Sequence, residues 1–298
     1  MKQLKPLAVA IGSMMLLGSS AAAYAIDTNV QFSTDGSGTY DVTGINEFDW
    51  QSSGDLGINS AITVNGTSTT LAAYFGGGLA ATGDVVVFDI NAQARLNDML
   101  ALGGGSIAPS TLDTNGTLNG DGGFEITAVL SAQETATVTL IGGVPILSFT
   151  SITGQTTWYY DATPDSVVDT GAGFMDGTVI LTADLVSVDG LFNPISGGSS
   201  LLGTSVTSYD ANYIQTDPLS NAPLIGTTFD TLVSLRSVGE ASATDPGDTL
   251  AGHIVAVGDA GFKADANSEF SGVPEPGTLF LLGAGLLGLG GVARRRTA

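Results

Sequence analysis

Cysteine is absent from this chain. Without it no disulfide staples the fold, no thiolate acts as nucleophile, and no cysteine-ligated zinc centre forms. Stability must then come from core burial or bound ions. Histidine occurs once, at His253, so every histidine-dependent mechanism rests on a single ring. The segment Gly252-His253-Ile254-Val255-Ala256-Val257 has no Gly-x-Ser-x-Gly elbow beside it, and its alternation places His253 on the open face of a strand. The sequence therefore predicts a non-enzymatic protein.

Basic residues are also scarce. Eight Lys and Arg stand against 29 Asp and Glu. Lys2 and Lys5 lie near the start and Arg294, Arg295 and Arg296 near the end, which leaves Arg95, Arg236 and Lys263 for everything between. Residues 26–272 thus carry 28 acidic side chains and three basic ones. Such a surface repels nucleic acid and anionic lipid and attracts divalent cations. A hydrophobic share of 43% is enough to form a core and excludes wholesale disorder. Most of the acid is aspartate, 23 against six glutamates, and aspartate favours turns because its short side chain bonds neighbouring amides.

The two ends read as addresses. Lys2 and Lys5 precede an apolar run from Leu7 to Leu17 and then Ala23-Tyr24-Ala25. Small side chains at Ala23 and Ala25 suit signal peptidase, which predicts a secretory signal over 1–25. At the other end, Thr278 to Val292 is apolar but shorter than the ~20 residues of a membrane-spanning helix. Five glycines weaken it as a permanent anchor, and Arg294–Arg296 would stay cytoplasmic by the positive-inside rule. Pro274-Glu275-Pro276 cannot join the helix and presents an extended backbone at the membrane surface.

Val273-Pro274-Glu275-Pro276-Gly277-Thr278, the short hydrophobic segment and Arg294-Arg295-Arg296 together resemble the PEP-CTERM sorting signal. The resemblance covers 273–298. It implies an exopolysaccharide-producing Gram-negative bacterium and recognition by an exosortase while the tail is held transiently in the inner membrane. Processing near the Pro-Glu-Pro and delivery to the cell surface or extracellular matrix would follow.

Between the addresses, period-2 patterns dominate. Phe124, Ile126, Ala128 and Leu130 alternate with polar residues, as do Phe229, Thr231, Val233 and Leu235. Val85–Phe88, Ala136–Leu140, Thr156–Tyr160 and Thr178–Leu181 are rich in β-branched and aromatic residues. Turn dipeptides punctuate them, among them Asp35-Gly36, Asn65-Gly66, Asp176-Gly177 and Asp189-Gly190. These signals predict an all-β fold, a single β-sandwich or jelly-roll-like domain over 26–267, with 268–272 as linker to the tail. Ala92 to Leu102 supports two readings, a helix closed by Gly103 or a continuation of the preceding strand.

Phe32-Ser33-Thr34-Asp35-Gly36-Ser37-Gly38, Phe48-Asp49-Trp50, Trp158-Tyr159-Tyr160-Asp161 and Gly173-Phe174-Met175-Asp176-Gly177-Thr178 resemble the flocculation-associated PEP-CTERM proteins. Gln51-Ser52-Ser53-Gly54 departs from that family, whose Asp-Trp is followed by Pro-Gly-Asn. The resemblance implies a protein that holds cells together with exopolysaccharide in floc and biofilm. It supplies no catalytic residues.

Two candidate binding sites remain. Asp161, Asp165, Asp169 and Asp176 share one turn-rich segment whose hard oxygens suit Ca²⁺; the alternative is a solvated loop whose aspartates cap turns. Trp50 and Trp158 offer faces for stacking on a sugar ring; the alternative is core packing. The leading expectation is a matrix protein that promotes flocculation by bridging its acidic surface to anionic polysaccharide through divalent cations. The rivals are a glycan-binding surface module and, further off, a carboxylate-dependent glycan hydrolase.

Overall fold

A computed structural model of the chain describes residues 29–115, 123–193, 197–216, 223–235 and 245–271. Ala23 and Ala25 of the signal, and the tail from Val273 to Arg296, lie outside the described residues.

Fourteen strands appear among the described residues. The first four are β1 (Val30–Phe32), β2 (Val42–Trp50), β3 (Gly54–Val64) and β4 (Thr67–Thr70), followed by a π-helical turn over Ala72–Gly76. Next come the long strands β5 (Val85–Ala101), β6 (Glu125–Ile141), β7 (Val144–Asp161), β8 (Thr178–Asn193) and β9 (Gly197–Tyr209). The remainder are β10 (Ile214–Thr216), β11 (Thr228–Leu235), β12 (Thr249–Leu250), β13 (His253–Ile254) and β14 (Ala260–Ser271).

The all-β, single-domain expectation holds, and the sheet closes on itself. Strands β5 to β9 run as an antiparallel meander that continues through β11 to β14. β2 and β3 act as one interrupted strand lying between β14 and β5, pairing with both along their length. That double pairing closes an eight-stranded up-and-down barrel and removes the edges an open sheet would expose. The interruption is local. At Gln51–Ser53 the chain turns, the Gly54 amide donates to the Gln51 carbonyl, and the Gln51 amide returns to Arg95.

Inner and outer rows follow the period of two. Ile126, Ala132, Ala136 and Val138 of β6 and Phe262, Ala264 and Phe270 of β14 are buried inward, whereas Ser131 and Gln133, or Asn267 and Glu269, face out. Along β6 and β14 the wall is apolar inside and polar outside, whereas β8, β9 and β11 also expose Val179, Val186, Leu191, Leu201 and Leu232. One half of the interior centres on Trp158, which meets Phe48, Trp50 and Phe229 with ring centroids 5.0, 5.0 and 5.2 Å away. The other centres on Phe88, Phe192 and Phe262.

Several local expectations are met. Asn65-Gly66 is the β3–β4 hairpin turn, with φ of 49° and 80°, values that suit Asn and Gly. Of the two readings of Ala92–Leu102 the strand holds: β5 continues to Ala101, because Ala92, Ala94 and Leu96 supply its inward row. Others are corrected. Asp189-Gly190 is not a turn but lies within β8, where Gly190 permits close approach; a Cβ there would sit 2.4 Å from the Ser199 carbonyl oxygen. Residues 268–271 are not linker. They finish β14, with Phe270 fully buried and Ser268 accepting a hydrogen bond from Trp50 Nε1 at 2.9 Å.

Candidate functional site

The aspartate-rich segment after β7 lies across the outer face of β5 and β6. It covers a buried ion pair that composition does not reveal. Arg95 points outward from β5 and Glu125 outward from β6, with Arg95 Nε 3.1 Å from Glu125 Oε2. Ser166 links them. Its hydroxyl accepts from Arg95 Nε at 2.8 Å and donates to Glu125 Oε2 at 2.5 Å, while its carbonyl accepts from the other end of the guanidinium. The amides of Asp165 and Ser166 donate to Glu125 Oε1 at 3.0 and 2.9 Å. Burial pushes the Glu125 carboxyl up, opposed by Ser166, the Asp165 amide and Arg95. Farther along, Thr127 Oγ1 donates to the Phe174 carbonyl at 2.8 Å. The segment is a strap pinned to the barrel wall.

That pinning brings two of the four expected aspartates beside Glu125. Carboxylate oxygens of Glu125, Asp161 and Asp165 lie within 4.8 Å of one another. Partial desolvation, then the charges of Asp176 and Asp161, push the Asp165 carboxyl up, so three of the four expected aspartates interact. Asp169 stands outside the cluster. Ca²⁺ takes ~6–8 oxygens; Glu125 already engages both oxygens with three donors and the Arg95 charge, and Asp161 caps the Thr163 amide at 2.8 Å. These hydrogen bonds belong to a strap with capped turns.

The aromatic site is corrected. Trp50 and Trp158 are 3% and 1% exposed, stacked edge to face inside the barrel, and present no outer face to a pyranose. Core packing is their fate because both lie on inward rows, and Ser268 satisfies the Trp50 indole N–H. His253 pairs with Asp259 at 2.9 Å. Asp259 is meanwhile occupied by the amides of Ser60 at 2.7 Å and Ala256 at 2.9 Å. Although burial pushes the Asp259 carboxyl up, the Ala256 amide, His253 and Ser60 outweigh it and hold it below the ordinary range. The pair ties the β12–β13 hairpin to β3.

Residues that sequence reasoning quoted for the flocculation resemblance do meet in space. Phe32 and Tyr160 both stack on Phe124, and the Tyr160 hydroxyl donates to the Thr34 carbonyl at 2.6 Å. Gly36, at φ +67°, is required there, since a Cβ would lie 2.5 Å from the Tyr213 ring. These contacts close one part of the core and assemble no reactive group.

The described residues thus define a closed β-barrel with an apolar interior. Its destination is written in the residues that follow. Residues 272–296 match the PEP-CTERM protein-sorting motif, so the chain carries a PEP-CTERM sorting signal. The motif marks it as an exosortase-sorted extracellular protein, directed to the cell surface. The match covers the tail and not the barrel. No curated protein and no solved structure matches the chain.

Proposed function

We propose that the protein is a non-enzymatic matrix component that promotes flocculation and biofilm formation with exopolysaccharide in a Gram-negative bacterium. The sorting motif at 272–296 supports this reading, because it directs the barrel to the cell surface, where a secreted polymer is met.

The charge of the barrel supports a mechanism. Across the wall, like charges stand directly opposite: Glu47 beside Glu269 and Asp49 beside Asp98. Such pairs repel. Partial burial, then Glu269, push the Glu47 carboxyl up, with Asp49 adding to it. Divalent cations relieve that repulsion and join the wall to anionic polymer. The bridging ions sit at many surface carboxylates, and no single cage is needed.

The test is flocculation of a deletion strain and its complement, with and without a chelator of divalent ions. Loss of flocculation on deletion, restored by the gene and abolished by chelation, is the expected result. Unchanged flocculation on deletion overturns the biological role; chelator insensitivity overturns the bridging.

A further inference from the structure

The barrel is not filled. Its inner rows leave a cavity of about 90 Å³ whose walls come from all eight barrel strands. A second apolar cavity of about 280 Å³ adjoins it where the π-helical turn contributes Ala72, Phe75 and Gly76. Ile58, Phe88 and Phe192 line both spaces. Eight strands are the number at which a barrel interior is either packed solid or holds one small ligand.

One ionisable side chain enters this apolar space with nothing to meet it. Glu134 lies on the inward row of β6, opposite Phe88 on β5 and Ile152 on β7. It is 4% exposed, and desolvation is the one influence on its carboxyl. Three of the hydroxyl-bearing residues on the same walls are occupied: Thr156 donates to the Val129 carbonyl, Thr204 to the Phe229 carbonyl, and Ser268 meets Trp50 and Thr231. A buried polar group without a partner is costly, and one aimed into a cavity is placed to receive its partner from a ligand.

Burial pushes the Glu134 carboxyl up to about 8, so at neutral pH it is an uncharged acid. A neutral acid in an apolar site donates a hydrogen bond. Among the described residues, Asp55 is the other titratable group lining the cavity, and no cation lines it. An anionic ligand therefore finds no counter-charge.

We propose that the barrel interior binds a small neutral lipophile, an alkyl chain bearing one carbonyl group. The chain occupies the space between Phe88, Phe192 and Trp158, and its carbonyl accepts the proton of Glu134.

Trp50 and Trp158 are the two tryptophans of the whole chain and both line the cavity, so intrinsic fluorescence reports occupancy. The full chain is titrated with methyl octanoate, with octanoate and octylamine as comparisons. At about pH 6 methyl octanoate gives a saturable change in emission. Near pH 10 its affinity falls about tenfold, the equivalent of one lost hydrogen bond. Glu134→Gln, whose amide still donates, keeps the affinity and loses the pH dependence. Ala92→Phe, which fills the cavity from β5, abolishes binding. No saturable response from the unaltered protein, undiminished binding by Ala92→Phe, or pH dependence that survives Glu134→Gln overturns the proposal. So does tighter binding of octylamine or octanoate than of the ester.

Discussion

Arg95 and Glu125, thirty residues apart in the chain, meet at 3.1 Å on the outer face of the barrel, with side-chain exposures of 3% and 0%. Ser166 bridges them from the strap that covers them, accepting from the guanidinium and donating to the carboxylate. This group fixes the strap to the wall, and with it the aspartates that the sequence offers as metal ligands.

Breaking one side of the pair leaves the other charge buried alone. Arg95→Met or Glu125→Leu is expected to cost about 3–5 kcal/mol in urea unfolding. The double variant should lose less than either single change, because no unpaired charge remains. Additive losses would show that the pair has no coupling.

Glu134 makes stability fall with rising pH. Its folded carboxyl is raised from 4.5 to about 8, so the native state holds the proton more tightly than the unfolded chain. Its contribution is intact below the unfolded value and is lost as pH rises through the folded one. Glu134→Gln should therefore be the more stable protein at pH 9, by on the order of 5 kcal/mol at most, and lose that advantage toward pH 4. Denaturant midpoints of both proteins across that range are the measurement.

Asp259 runs the other way. Its carboxyl is held below the ordinary range, so its contribution is present above the unfolded pKa and is lost as pH falls through the folded one. Asp259→Ala should cost about 1–3 kcal/mol and speed hydrogen exchange at the Ser60 and Ala256 amides, which bond to that carboxylate. Unchanged exchange at both amides would contradict its role as the tie between hairpin and barrel.

Replacing Pro274-Glu275-Pro276 with alanines, or deleting Arg294–Arg296, should leave the protein unprocessed and reduce its display at the surface. Mass spectrometry of the mature C-terminus reads this directly. A surface-exposed protein that still carries Arg294-Arg295-Arg296 would contradict processing.

Trp50 and Trp158 show where sequence reasoning reaches its limit. Both read as core or as platform, and alternation alone placed Trp158 and Tyr159 on opposite faces. Which face is inside depended on closure. Once the sheet curls, Trp158 joins Trp50 in the core and Tyr159 faces outward. Ala92–Leu102 was ambiguous for a related reason: Leu96, Met99 and Leu100 match a helical stripe, and strand pairing with Ile45–Trp50 overrode it.

The amino-acid sequence by itself determined the strands, many of their turns and the sorting tail. Each of these is written within a few residues: alternation has a period of two, a hairpin needs Asn-Gly, and the tail is a contiguous string. Only the tertiary structure decided that the sheet closes, that Arg95 finds Glu125 beneath Ser166, and that Glu134 faces an unfilled interior. Those outcomes depend on the register between strands distant in the chain, and no local pattern encodes which inward residue stands opposite which.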